Sequence, residues 1–320
     1  MTTTNGASQM GEARQRGTYA QRVEEARAQA QAQGQSHVST ARHRAAALVG
    51  VAAGEFFQAR FQDGRLADPS IAVVPLYRQI GDGRAMEVIG TGFLVAPSTI
   101  VTARHVAESA LAPDAEGNPG LWAVQFNTNG QYHQRAVVHA VLHPTTDIAL
   151  CVLTHMTHRE TGAPLSNPTL RLSARDPAIG DHVYTYAYPD TVFTQEGEHA
   201  RIDLNPHFYD GHIVTHYPEG RDRVMLPFPS FETSIHIHGG ASGGPIFDAG
   251  GAVVGINVSS LREPDTDCSF IAKVRDAFDL PLPVVFVAGQ VEQLTLRELA
   301  GRGFAQLDTG SPSAPAGGAQ

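Results

Sequence analysis

The chain has 320 residues, of which 42% are hydrophobic and 17% charged, with 32 glycines and 20 prolines. That is enough chain for two ordinary domains, and the composition is turn-rich and globular, which excludes wholesale disorder. The formal net charge of -9, from 32 acidic against 23 basic residues, supplies no field to draw the chain onto a phosphate backbone or an anionic bilayer, so neither nucleic acid nor membrane is an expected partner.

Residues 1–36 carry few large apolar side chains, and 19–35 are helix-prone but polar on every side. Between residues 39 and 61 the positions Ala45, Leu48, Val49, Ala52, Phe56 and Phe57 recur at helical spacing behind Ser39 or Thr40 as N-cap, which predicts a packed helix. The apolar run 45–53 behind Arg42, His43 and Arg44 imitates a signal peptide but lies too far from Met1, and no apolar run reaches the roughly 18 residues of a membrane-spanning helix. A cytoplasmic protein is expected. Only Lys273 among the basic residues is a lysine, a usage associated with GC-rich bacterial coding sequences.

Beyond Pro69 the rhythm changes to short apolar runs broken by Gly, Pro, Asp and Asn, as in a strand-rich domain. Strands are expected over 71–78, 87–95, 99–102, 122–127, 135–142 and 148–153, then over 182–188, 211–217, 231–236, 245–247, 253–258 and 268–272. Gly81-Asp82-Gly83 and Asp248-Ala249-Gly250-Gly251 supply the positive φ angles of tight hairpins. Two groups of six strands, split near 171–180, indicate two antiparallel β-barrels. Short helices are expected over 275–280 and over 295–301 with Thr295 as cap, and a disordered tail over 308–320. The expected divisions are a partly helical, partly disordered extension (1–66), a first barrel (67–170), a second barrel (171–282) and a C-terminal extension (283–320).

Three segments carry chemistry. Gly90-Thr91-Gly92-Phe93-Leu94-Val95 and then Thr102-Ala103-Arg104-His105-Val106 put a histidine just past an apolar strand. His143-Pro144-Thr145-Thr146-Asp147-Ile148-Ala149-Leu150 places a carboxylate before another, and His238-Gly239-Gly240-Ala241-Ser242-Gly243-Gly244-Pro245 surrounds one hydroxyl with flexible backbone. A serine needs a base to become a nucleophile, which points to His105; the imidazole needs an orienting carboxylate, which points to Asp147. The backbone N–H groups of Gly240 and Ser242 are placed to receive the developing oxyanion.

With these motifs the chain resembles the trypsin-like (chymotrypsin-fold) serine proteases of the bacterial branch that includes the HtrA proteases. The order His, Asp, Ser and the separations of 42 and 95 residues are the family's, and the likeness extends over about 71–280. The resemblance implies two six-stranded barrels with the triad in the cleft between them, a serine endopeptidase mechanism, and protein or peptide substrates. It also places His236 at the floor of the primary pocket, with Val258, Ser259 and Ser260 along one wall. No carboxylate stands at that floor, which argues against recognition of lysine or arginine.

Two departures from the family's wording matter: Arg104 stands where a small residue is usual, and Ala241 where activation by a new N-terminus would need an aspartate. Two other readings remain at this stage, a catalytically silent protease-like binding module and an esterase built on the Gly240-Ala241-Ser242-Gly243-Gly244 pattern. No metal or organic cofactor is implied. The fifteen histidines offer close pairs such as His155 and His158, His212 and His216, or His236 and His238, but no convincing third ligand. Cys151 and Cys268 are too few for a disulfide framework, and the N-terminal extension is a candidate contact for a regulatory partner.

Overall fold

The computed structural model describes residues 59–61, 63–67, 71–80, 85–111, 120–126, 132–156, 167–189, 191–196, 199–203, 205–263, 266–285 and 290–309. The helix expected over 39–61 falls outside these residues except at its end, where the expectation is corrected. Ala59–Arg60 is a short strand, β1, paired antiparallel with β2 (Leu66–Ala67). Its helical periodicity is overridden by ladder partners: Ala59 faces Leu170 and Arg60 faces Thr169.

The first barrel comprises β3 (Val73–Ile80), β4 (Ala85–Ala96), β5 (Thr99–Thr102), β6 (Leu121–Phe126), β7 (Tyr132–Leu142) and β8 (Ala149–Leu153). They close in the order β3-β4-β5-β8-β7-β6, so no edge is left unpaired. Every residue of β5, Thr-Ile-Val-Thr, and of β8, Ala-Leu-Cys-Val-Leu, is buried, so neither shows the alternation of a strand with one face in solvent. The barrel end remote from β5's C-terminus holds Arg135, whose guanidinium donates to Thr154 O at 2.9 Å, Gln125 Oε1 at 2.6 Å and Ser98 Oγ at 3.1 Å. Burial pushes its pKa down to about 10.

Strand β9 (Thr169–Ser173) links the barrels. It is followed by β10 (His182–Ala187), the hairpin β11 (Val192–Glu196) with β12 (His199–Asp203), β13 (His207–Tyr217), β14 (Ser230–Thr233), β15 (Pro245–Asp248), β16 (Val253–Glu263) and β17 (Thr266–Lys273). The pairings β10–β13, β13–β14, β14–β17, β17–β16, β16–β15 and β15–β10 close a second six-stranded ring. Val183, Ile213, Phe231, Ile235, Ile237, Ile246, Val254 and Ile271 fill it. The hairpin at Asp248 is as expected: Asp248 Oδ1 accepts N–H bonds from Gly250 and Ala252, and Gly251 sits at φ 74°.

After β17 the helix expected over 275–280 is a single 3-10 turn at Val274–Ala277. The chain then forms the hairpin β18 (Leu282–Val285) with β19 (Val291–Leu294), a helix α2 (Leu296–Gly301) and β20 (Gln306–Asp308). The other described helix, α1, spans Arg104–Glu108. Thr295 caps α2 with a reciprocal capping box through Glu298. β20 lies parallel to β9, Leu307 facing Leu172, so β9 pairs with β1, β16 and β20. Asp176, further along that linker, is held by Lys273 Nζ and Arg275 Nη1, each at 2.8 Å. Among the described residues no helix is long and apolar enough to cross a membrane.

Candidate active site

His105 sits in the first turn of α1, three residues past the buried end of β5. Asp147 comes from the turn between β7 and β8. Its Oδ1 accepts the backbone N–H of His105 at 2.9 Å, and its Oδ2 lies 2.7 Å from His105 Nδ1. The second contact makes Nδ1 the protonated nitrogen of the neutral ring and puts the ring's lone pair on Nε2. Both side chains are about one-fifth exposed, so the pair is shielded but open on one side.

The turn bearing Asp147 is tied down from two directions. His143 Nδ1 accepts N–H bonds from Thr146 at 3.0 Å and Thr145 at 3.3 Å. Burial holds the His143 imidazole below its ordinary value, Arg104 adding to the effect and Asp276 opposing it. Arg104, the unusual neighbour of His105, donates to the carbonyls of His143 at 2.8 Å and Pro144 at 3.2 Å and pairs with Glu108 at 2.7 Å. It therefore clamps the turn of Asp147 to the helix of His105.

Ser242 lies between β14 and β15 in a loop pinned at both ends. Before it, Ile235 and Ile237 enter the second barrel's core, and Ala241 is fully buried in the same cluster. An aspartate at 241 would be placed among these apolar side chains. Ala241 N–H donates to His238 O at 3.1 Å, and Gly240 has φ 92°. The 238–241 turn thus carries a positive φ at its third position, where glycine is favoured.

After Ser242, Gly243 N–H donates to Asn257 O at 2.7 Å and Asn257 N–H to Gly244 O at 2.9 Å. Gly243 has φ 84°, and a Cβ there would collide with Thr91 O and Thr102 Oγ1. It also abuts Ala103 N, two residues from His105, so the serine loop and the histidine helix meet across the barrels. Pro245 opens β15, not a helix, which removes the strand-to-helix elbow that an α/β-hydrolase would need.

Among the described residues, none hydrogen-bonds the Ser242 hydroxyl, and neither the Gly240 nor the Ser242 N–H is engaged. The serine and histidine segments are thus brought together without a direct Oγ to imidazole bond, a contact that commonly tightens only with substrate. His236 is half-buried, its ring edge-on to His238 with centroids 4.8 Å apart. The strand expected over 231–236 ends earlier, at Thr233, because Ser234 N–H bonds His212 O and Ile235 N–H bonds Thr233 Oγ1. Val258 is buried, Ser259 half-buried and Ser260 exposed on β16, just past a register shift between Asn257 and Ser259. No group of three or more His, Cys, Asp or Glu side chains suited to a metal occurs among the described residues.

One residue that sequence reading quoted only as part of a motif is central here. Thr91, on β4 and fully buried, donates its N–H to Ser242 O at 2.8 Å and its hydroxyl to Gly240 O at 2.8 Å. The partners are 149 residues apart in the case of Gly240, and no local pattern signals such a bond.

A family model described as a trypsin-like peptidase domain matches residues 90–256. No curated protein matches the sequence. Similar solved structures include the active form of the Rv3671c protease from M. tuberculosis, at 17% identity over 65% of this chain and 78% of that one, with a TM-score of 0.46. Another is Deg5, at 20% identity over 69% of this chain and 91% of that one, with a TM-score of 0.45.

Proposed function

The chain belongs to the trypsin-like peptidase family, and from that premise we propose that it is a serine endopeptidase acting through an acyl-enzyme on Ser242. The observation that carries this reading is the pair of hydrogen bonds that His105 gives Asp147, through the backbone N–H and through Nδ1. A carboxylate so placed holds Nε2 in the basic tautomer and stabilises the imidazolium that forms later. His105 Nε2 takes the Ser242 proton as Oγ attacks the scissile carbonyl carbon. The oxyanion is received by the Gly240 and Ser242 N–H groups, which no described residue occupies.

Collapse of the tetrahedral intermediate breaks the C–N bond, and His105 gives its proton to the leaving amine. Water, deprotonated by the same imidazole, then attacks the acyl carbon and restores Ser242. The primary pocket on this reading involves His236, Val258, Ser259 and Ser260. The substrate class is protein or peptide.

The deciding experiment is labelling with a fluorophosphonate probe in wild type, Ser242→Ala and His105→Ala. Labelled wild type with both variants blank is the expected result. A folded wild type that does not label would instead favour the silent binding module, and labelling that survives in Ser242→Ala would move the nucleophile elsewhere.

A further inference from the structure

Gly240 and Ser242, the two residues offering N–H groups to the oxyanion, are both held through their own carbonyls by one residue of the opposite barrel. That residue is Thr91: its hydroxyl reaches Gly240 O and its N–H reaches Ser242 O, each at 2.8 Å. We propose that Thr91 is a positioning residue for the oxyanion site, its hydroxyl setting where the Gly240 amide stands relative to Ser242. This rests on the reading of Ser242 as nucleophile.

The hydroxyl's role is directional. Thr91 Oγ1 also accepts the Tyr188 N–H at 3.2 Å, and an N–H can only donate while a carbonyl can only accept. The single hydroxyl proton is therefore committed to Gly240 O. Its environment leaves no substitute, because Thr91 is fully buried and no solvent reaches it. The same residue is anchored toward the base: Thr91 O accepts the Thr102 hydroxyl at 2.8 Å, and Thr102 ends the strand that leads into the helix of His105.

Neighbouring glycines show how closely this junction is fitted. A Cβ on Gly90 would lie 2.7 Å from both Val106 methyl carbons and 3.0 Å from Ser242 O. Gly240, at φ 92°, occupies a conformation in which glycine has wide freedom. Its carbonyl needs an external restraint, and Thr91 supplies it. A valine at 91 keeps the shape of threonine but leaves Gly240 O and Tyr188 N–H buried without these partners. A serine keeps the hydroxyl and loses only a methyl.

The test compares wild type with Thr91→Val, Thr91→Ala and Thr91→Ser, with active sites counted by burst titration so that misfolded enzyme does not enter kcat. Thr91→Val and Thr91→Ala are expected to lose about 10- to 100-fold in kcat per titrated site, less than full loss of an oxyanion donor. KM should change less than about threefold, because ground-state binding is untouched. Binding of a peptide aldehyde, which forms a tetrahedral adduct, should weaken in step with kcat, and Thr91→Ser should recover most of both.

Should valine not fold, the alanine and serine variants carry the comparison. Equal kcat in wild type and the hydroxyl-free variants would overturn the inference, as would a serine variant as poor as alanine. A wild type with no burst and no aldehyde binding would instead bring down the nucleophile assignment on which it stands.

Discussion

Asp147 grips His105 at two points, its Oδ1 on the backbone N–H at 2.9 Å and its Oδ2 on Nδ1 at 2.7 Å. The first contact fixes the start of α1 against the β7–β8 turn, and the second fixes the ring. One carboxylate thereby sets both the position and the tautomer of the imidazole, and the two can be separated by mutation.

Asp147→Asn keeps an oxygen for the backbone N–H but can present an NH2 group to Nδ1, which favours the wrong tautomer. The expected outcome is a kcat lower by up to ~10⁴-fold with the folded structure retained. Steady-state kinetics with circular dichroism would check it; near-normal kcat would show that His105 does not depend on Asp147 for its protonation state.

His143 makes the Asp147 turn sensitive to acid. Its Nδ1 accepts the Thr145 and Thr146 N–H groups, so the fold requires the neutral ring, and burial keeps its pKa below the ordinary value of 6.5. The unfolded chain therefore binds the proton first as the pH falls. This contribution to stability is complete above about pH 6.5 and is lost as the pH drops through the lowered folded value. Urea midpoints at pH 7 and pH 5 should fall more in wild type than in His143→Gln, whose amide oxygen accepts the same bonds at either pH. Identical falls would exclude His143 as the titrating group.

The segment 234–240 contains two imidazoles and no carboxylate, with His236 half-buried against the His238 ring. A basic side chain of a substrate would find no counter-charge from that segment and would lose hydration on entry. A peptide-library profile should show no preference for lysine or arginine before the scissile bond. Dominant cleavage after arginine would place the specificity pocket elsewhere.

Most strands of the two barrels are legible in the sequence because they are short segments rich in β-branched and aromatic residues, punctuated by turn residues. Asp248-Ala249-Gly250-Gly251 and Thr295 with Glu298 are equally readable, since a hairpin turn and a capping box are satisfied within a few residues. The failures have a common cause. Ala59 and Arg60 fall at the end of an expected helix yet pair with Leu170 and Thr169, and the short strand β20 is defined by its pairing with β9. Such elements carry little propensity of their own and take their form from distant partners.

The sequence by itself nominated His105, Asp147 and Ser242 and determined their order, because each lies in a contiguous motif of distinctive immediate neighbours. Only the tertiary structure decided what holds those motifs in register: Arg104 on the carbonyls of His143 and Pro144, Gly243 against Ala103, and Thr91 on Gly240 and Ser242. Those contacts join residues up to 151 positions apart, as Thr91 and Ser242 are, and backbone preferences, which act over a few residues, specify no hydrogen bond between groups that meet only after both barrels have closed.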